Sequence, residues 1–238
     1  MKKVVFFDLD GTLLPMKDLD MFIKAYVSSM AKHLAKDGYD PEKLVLAFKS
    51  GLVAMLENDG SMTNEQAFWN AMDNSYGSSL STDTIENFLG YYETEFDKTR
   101  IACGFTPEAK ETLELLHSMN VPCVLATSPV YPRVATQKRM EWAGISESDF
   151  LTVTTFEDSY FAKPNPKYYT ALAESLGYLP SECIMVGNDT RDDLPAFDVG
   201  MDIFFLTDNL INRDNIDISS YPNGDFKALK KYLVSIFK

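Results

Sequence analysis

The stretch Asp8-Leu9-Asp10-Gly11-Thr12 directly follows the apolar run Val4-Val5-Phe6-Phe7. The apolar run predicts a buried strand, and Gly11 gives the backbone the freedom for a turn where that strand ends. Alternate side chains of a strand lie on the same face. A turn that begins after Asp8 would direct one side chain and one backbone carbonyl of this stretch toward the same point. The two carboxylates of Asp8 and Asp10 would repel unless a cation or a proton relieves them. The motif therefore indicates a metal, a proton-transfer role, or both.

The composition limits the classes of partner. The 238-residue chain is 45% hydrophobic, which predicts a sizeable core in one large domain or two modest ones. Its 22 basic and 35 acidic residues give a formal charge of −13, which disfavours nucleic acid and anionic membranes as partners. Three cysteines without metal spacing are expected to be buried thiols in a reducing compartment. With no evident signal peptide or spanning segment, a cytoplasmic protein is expected.

Apolar runs and helical patterns alternate in the second part of the chain, which predicts an α/β fold. The nearly continuous apolar character of the runs is typical of a doubly wound parallel sheet covered on both faces. The polar segment 209–224 is predicted to be a surface loop. Five strands are predicted, at residues 3–8, 121–126, 150–154, 183–187 and 202–206.

Residues 16–100 break this alternation and contain no convincing strand. We therefore expect an α/β core formed by residues 1–15 and 101–238, with a smaller all-helical insertion at residues 16–100. Four helices are predicted in the insertion, at residues 20–35, 41–57, 64–75 and 82–96.

Three further motifs occur in order at the ends of predicted strands. Thr127-Ser128 ends the second strand, Lys163-Pro164 follows the third, and the segment from Asn188 to Asp193 follows the fourth. Together with residues 8–12, they resemble the four motifs of the haloacid dehalogenase (HAD) superfamily, and the resemblance spans the chain. It implies a Rossmann-like core with a helical cap between the first two motifs. It also implies a phosphatase that acts on a small phosphorylated metabolite.

The resemblance implies a division of roles among the motif residues. Asp8 would attack phosphorus and form an aspartyl-phosphate, and Asp10 would protonate the leaving oxygen and then activate water. Lys163 would neutralise the phosphoryl charge, and the Thr127 hydroxyl would donate to a phosphoryl oxygen. Many phosphatases of this type carry Asn where Ser128 stands, so Ser128 is the alternative donor.

A magnesium site is implied by the same resemblance. Asp8, the carbonyl of Asp10 and Asp189 would supply oxygen ligands, and Mg²⁺ keeps several waters. Asn188 stands where the family often has Asp, and it could ligate through its amide oxygen and displace Asp189. Otherwise Asn188 and Asp193 are expected to support the ligands. For Asp193 a favourable position at a helix N-terminus is the alternative interpretation.

Other functions stay open at this stage. A sugar-phosphate mutase would use Asp10 and the cap equally well, whereas a 2-haloacid dehalogenase lacks the second acid, so Asp10 argues against it. A non-catalytic binding module is disfavoured because no member of the catalytic set is missing. Asp192 is interpreted as a helix-dipole residue. Arg133, Lys138 and Arg139 follow the second motif and are interpreted as a solvated helix face, with Arg133 as the alternative candidate for binding substrate charge. The sequence does not specify the oligomeric state.

Overall fold

The computed structural model describes residues 1–77, 79–80 and 82–238. Ser78 and Ser81, which belong to the predicted helical insertion, lie outside the described residues. Among the described residues, no helix is both long and apolar enough to cross a membrane.

A parallel sheet of five strands lies at the centre of the fold, in the order β2-β1-β3-β4-β5. In register, Phe7 pairs with Leu125 on one side and with Val186 on the other, so the chain leaves three neighbouring strands at one edge of the sheet. The doubly wound α/β prediction is therefore confirmed. The strands are β1 (Val4–Phe7), β2 (Cys123–Leu125), β3 (Cys183–Gly187), β4 (Asp202–Leu206) and β5 (Asn223–Gly224).

The strand predicted at residues 150–154 is wrong in extent. This segment runs beside β2 and forms a single parallel bridge, between Leu125 and Val153. The pairing stops there because β2 itself has only three residues and because the Thr154 hydroxyl bonds to the Thr127 carbonyl, 2.7 Å away. The fifth strand is β5, inside the segment predicted as a loop, where Gly224 pairs with Leu206.

All four predicted helices of residues 16–100 form. Each of the first three begins at a side chain that accepts hydrogen bonds from first-turn backbone N–H groups, namely Asp18, Asp40 and Thr63. A 3₁₀ helix, Phe96–Ala102, leads back to the sheet. The helices are α1 (Leu19–Leu34), α2 (Pro41–Leu56), α3 (Asn64–Tyr76) and α4 (Thr82–Thr94).

The remaining helices cover both faces of the sheet. Val5 and Phe7 of β1 belong to one apolar cluster, which also includes the buried faces of the helices before β2 and at the end of the chain. Val4 and Phe6 point the other way, into a second cluster. This alternation explains the continuous apolar run of β1. The helices are α5 (Pro107–Ser118), α6 (Arg133–Ala143), α7 (Pro166–Ser175), α8 (Thr190–Asp193), α9 (Pro195–Asp198) and α10 (Phe226–Phe237).

Candidate active site

A cavity of about 160 Å³ lies at the edge where β1, β2 and β3 end. In open parallel sheets, ligands bind in the crevice outside the carboxyl ends of the strands. The sequence-predicted residues meet there, although they are far apart in the chain. The polar side chains that line the cavity are Asp8, Asp10, Thr127, Ser128, Asn188, Asp189, Asp192 and Asp193.

Lys163 joins two aspartates beneath the floor of this cavity. Its Nζ lies 2.8 Å from Oδ1 of Asp8 and 2.7 Å from Oδ1 of Asp193. The side chains of Lys163 and Asp193 are each only 1% exposed, whereas that of Asp8 is 13% exposed. Asp8 is therefore the member of this triplet that a molecule in the cavity can reach.

Asp193 is fixed from the β3 side as well. Its Oδ2 accepts hydrogen bonds from the backbone N–H groups of Asn188, at 3.0 Å, and Asp189, at 3.1 Å. The carboxylate lies against Gly187, where the position of a Cβ would be only 2.0 Å from Oδ2. Glycine at the end of β3 is thus what allows this close approach, and Asp193 holds both the loop and Lys163.

Burial opposes the negative charge that this site collects. Desolvation raises the pKa of Asp8 to about 7, although the neighbouring Lys163 lowers it. Burial also raises the pKa of Asp192 to about 6 and the pKa of Asp189 above its usual range. Burial disfavours the charge on Lys163, but Asp193 and Asp8 outweigh it and raise the pKa of its ammonium well above the usual value. The site therefore has more buried acids than cations to pair with them.

The turn after β1 is locked to the loop after β3. Gly11 has φ +87°, and a Cβ there would lie 2.2 Å from the amide nitrogen of Asn188. The Thr12 hydroxyl lies 2.9 Å from Oδ1 of Asn188 and 3.3 Å from Oδ2 of Asp8. Asn188 in turn donates from Nδ2 to the Asn209 carbonyl at 2.8 Å. Both ends of the Asn188 amide thus have partners within the protein.

Arg139 corrects the sequence interpretation of a solvated helix face. Its side chain is completely buried, and Nη1 bonds to Oδ2 of Asp10. Its guanidinium carbon lies 4.1 Å from the ring centroid of Tyr131, a cation–π contact. The signal was present in the sequence, because Arg139 is four residues from both Ala135 and Ala143 on the apolar stripe of α6. Arg133 does lie at the surface, where it pairs with acidic side chains.

Two further aspects of the lining were not assigned from the sequence. Asp192 borders the cavity, although it was interpreted only as a helix-dipole residue. The cavity is also walled by aliphatic and aromatic side chains that the sequence does not assign to the site, including Tyr131. Thr127, which was assigned from the sequence, lines the cavity, and its carbonyl accepts from the Thr154 and Tyr168 hydroxyls.

The oxygen atoms at this edge of the sheet are suitable ligands for a hard cation. Carboxylates, an amide and backbone carbonyls are the oxygen ligands that Mg²⁺ prefers, and the buried acids outnumber the cations. Within the described ranges, no three His, Cys, Asp or Glu side chains form a complete metal-binding group. Mg²⁺ needs no such group, because it keeps several waters. Asp8, the Asp10 carbonyl and Asp189 could hold it, with the amide oxygen of Asn188 as the alternative ligand; Asn188 Oδ1 already accepts from Thr12, and Asp189 Oδ1 accepts from the backbone of Arg191 and Asp192.

Comparisons with known proteins find similar chains among the hydrolases. The family model for haloacid dehalogenase-like hydrolases matches residues 2–198. A ribulose-1,5-bisphosphate 5-phosphatase of Halopiger xanaduensis is 25% identical over 198 residues, which are 82% of this chain and 80% of that protein.

Solved structures share the fold at lower identity. A HAD phosphatase from Thermococcus onnurineus aligns with a TM-score of 0.57 and 22% identity over 98% of both chains. An L-2-haloacid dehalogenase from Xanthobacter autotrophicus aligns with a TM-score of 0.51 and 18% identity, over 99% of this chain and 83% of the other. Because the same fold serves both chemistries, the side chains of the site must distinguish them.

Proposed function

This chain belongs to the haloacid dehalogenase-like hydrolases, and we propose that it is a Mg²⁺-dependent phosphatase that hydrolyses a small phosphomonoester through an aspartyl-phosphate. The observation that carries the proposal is the second acid. Asp10 lines the cavity with its side chain 23% exposed; one carboxylate oxygen is bonded to Arg139, and the other, Oδ1, is buried without a hydrogen-bond partner among the described residues. A group so placed beside Asp8 can exchange a proton with a substrate oxygen.

In the first step, Oδ2 or Oδ1 of Asp8 attacks phosphorus in line with the leaving oxygen, and the phosphorus–oxygen ester bond breaks. Asp10 gives its proton to that oxygen, so the alcohol leaves neutral. Lys163 offsets the charge of the phosphoryl oxygens, and the hydroxyl of Thr127 or Ser128 donates to one of them.

In the second step, Asp10 takes a proton from water, which attacks the phosphorus of the aspartyl-phosphate. The acyl-phosphate P–O bond breaks, phosphate leaves, and Asp8 is regenerated. A bound Mg²⁺ would supply charge stabilisation for the phosphoryl group and favour the ionised form of Asp8. Asp193 holds Lys163 and the loop of Asp189 in position throughout.

The helical segment, residues 16–100, is proposed to act as the cap over this site. Met16, Leu19 and Ile23 line the same cavity as the aspartates. Such a cover would exclude water and select the leaving group. The three cysteines are buried free thiols, which supports a reducing compartment such as the cytoplasm as the location.

A phosphate-release assay on p-nitrophenyl phosphate tests the proposal. The wild type is expected to be active with Mg²⁺ and inactive with a chelator, and Asp8→Asn is expected to be inactive. Asp214→Asn removes an exposed carboxylate outside the cavity and should retain wild-type activity. Full activity of Asp8→Asn would overturn the proposal. Chloride release from 2-chloropropionate in the presence of chelator would indicate a dehalogenase instead, and conversion of a hexose 1-phosphate to the 6-phosphate would indicate a mutase.

A further inference from the structure

The wall of the cavity that faces the aspartates is apolar. Its side chains come from three parts of the chain: the first turns of α1 with the segment before it, the loop after β2, and the loop after β4. They would surround whatever is attached to the phosphoryl group once that group reaches Asp8. The wall consists of Met16, Leu19, Ile23, Tyr131 and Ile211.

No basic side chain is available to a leaving group in this cavity. Within the described part of the chain, no Lys, Arg or His lines it. The two buried cations behind the lining are already paired: Lys163 bonds to Asp8 and Asp193, and Arg139 bonds to Asp10. Both are buried behind these aspartates, so neither can move to a second anionic group without leaving a buried carboxylate unpaired. Arg191 and Arg213 act on Asp192 and Asp189, but they are exposed and lie outside the lining.

Three lysines of the helical insertion lie in a different space. Lys24, Lys32 and Lys49 line a separate groove between α1 and α2. Ile23 lines both spaces, but Lys24 lines only the groove. The side of α1 that faces the aspartates therefore presents Ile23 and not its charged neighbour.

We infer that the substrate is a phosphomonoester whose leaving group carries no negative charge. This inference rests on the proposed phosphatase function. Inside the cavity, a carboxylate or a second phosphate on the leaving group would lie between five aspartates and a largely apolar wall, with no basic side chain in the lining to receive it. Like-charge contact and the desolvation of an unpaired anion both disfavour binding. The bisphosphate named for the Halopiger relative would, on this reading, be a poor substrate here.

A matched pair of three-carbon esters tests the inference. Glycerol 1-phosphate carries a neutral hydroxymethyl group at the position where 3-phosphoglycerate carries a carboxylate. With Mg²⁺ present, kcat/KM is expected to be about tenfold or more higher for glycerol 1-phosphate. The reason is that a carboxylate placed beside like-charged aspartates loses binding free energy that corresponds to at least this factor. Each ester is also tested as a competitor of p-nitrophenyl phosphate, and glycerol 1-phosphate should compete at the lower concentration. The inference would be overturned if 3-phosphoglycerate had an equal or higher kcat/KM and competed at an equal or lower concentration.

A positive charge introduced into the wall should weaken the preference for glycerol 1-phosphate. Ile23 is 43% exposed, so Ile23→Lys can place an ammonium at the rim of the cavity without burying it. We expect this variant to reduce the preference by about tenfold, through better use of 3-phosphoglycerate. Met21→Lys adds the same charge to the same helix at a site that is 41% exposed and outside the cavity lining, and it should leave the ratio unchanged.

Folding and basic activity are checked separately. Both variants are compared with the wild type by thermal unfolding and by turnover of p-nitrophenyl phosphate. If the wild type does not hydrolyse p-nitrophenyl phosphate, the proposed function itself fails. If p-nitrophenyl phosphate is hydrolysed but Ile23→Lys and Met21→Lys give the same ratio as the wild type, the phosphatase assignment stands and the inference about the wall is wrong.

Discussion

Arg139, which is completely buried, bonds through Nη1 to Oδ2 of Asp10, 129 positions away in the chain. The same guanidinium donates to the Thr136 hydroxyl at 3.1 Å and lies over the Tyr131 ring. One oxygen of Asp10 is thereby fixed, and the other, Oδ1, is left without a partner among the described residues. Arg139 is thus a positioning residue for the proposed acid and base.

The first prediction concerns loss of this pair. Arg139→Met should lower kcat by about 10–100-fold with a much smaller change in KM, because Asp10 loses its orientation while the phosphoryl site is intact. The variant should also lose about 3 kcal/mol of unfolding free energy, since an uncompensated carboxylate stays behind. Steady-state kinetics and urea unfolding measure the two effects.

Arg133→Met is the matched control for that experiment. Arg133 begins the same helix, but its pairs with Glu147 and Asp158 are half exposed, so its loss should cost less than about 1 kcal/mol. If the two variants lose the same stability and kcat, the Asp10 contact has no special role.

The second prediction concerns the cost of burying Asp8. Its pKa of about 7 in the folded protein exceeds the value of about 3.9 in an unfolded chain. The folded state therefore binds more protons between these values, and stability is lost as the pH rises through this window. Asp8→Asn removes that penalty, so in metal-free protein it should be more stable than the wild type at pH 8, by on the order of 2–4 kcal/mol.

Thermal unfolding in chelator at pH 5 and pH 8 measures this effect. The advantage of Asp8→Asn should shrink at pH 5, where the wild-type carboxyl is protonated in the folded state. Asp214→Asn, at an exposed position, should show no such pH dependence. A less stable Asp8→Asn at pH 8 would mean that the bond from Lys163 outweighs desolvation.

The third prediction separates the two candidate metal ligands. Asp189→Ala should raise the Mg²⁺ concentration for half-maximal activity by at least about 10–100-fold. Asn188→Ala should change that concentration less, because its amide is engaged with Thr12 and Asn209. It should instead lower the unfolding free energy by about 1–3 kcal/mol, the cost of leaving those partners unsatisfied. The reverse pattern in a Mg²⁺ titration would assign the metal to Asn188.

Most of the candidate site could be located from the sequence because its chemistry lies at strand ends. The strands before Asp8 and Asn188 are buried on both faces, so their apolar runs are unbroken and the motif after each is easy to see. β5 could not be found in this way, because a two-residue strand has no pattern of its own and exists only through its pairing with β4.

Arg139 illustrates a different limit. Periodicity places Arg139 on the apolar stripe of α6, but its charge favours a solvent-exposed position, because burial of a cation is favourable only with a partner. That partner, Asp10, comes from the other end of the chain, so no local window contains it. The apolar wall was missed for a similar reason, since the docking of α1 over the sheet determines which of its side chains reach the cavity.

The last prediction concerns the packing of α2 against α3. At Gly51 an added Cβ would lie 2.5 Å from Cδ2 of Phe68, and that ring cannot yield because it packs against the Phe48 and Phe88 rings. Gly51→Ala should therefore lower the unfolding free energy by about 1–2 kcal/mol, since the overpacking cost exceeds the gain in helix propensity. At Gly90 in α4 nothing lies within 4 Å of the new Cβ, so Gly90→Ala should raise the unfolding free energy by up to about 1 kcal/mol. Urea unfolding midpoints at constant slope measure both changes. Equal effects of the two alanines would mean that helix propensity, and not the contact with Phe68, decides the stability of these helices.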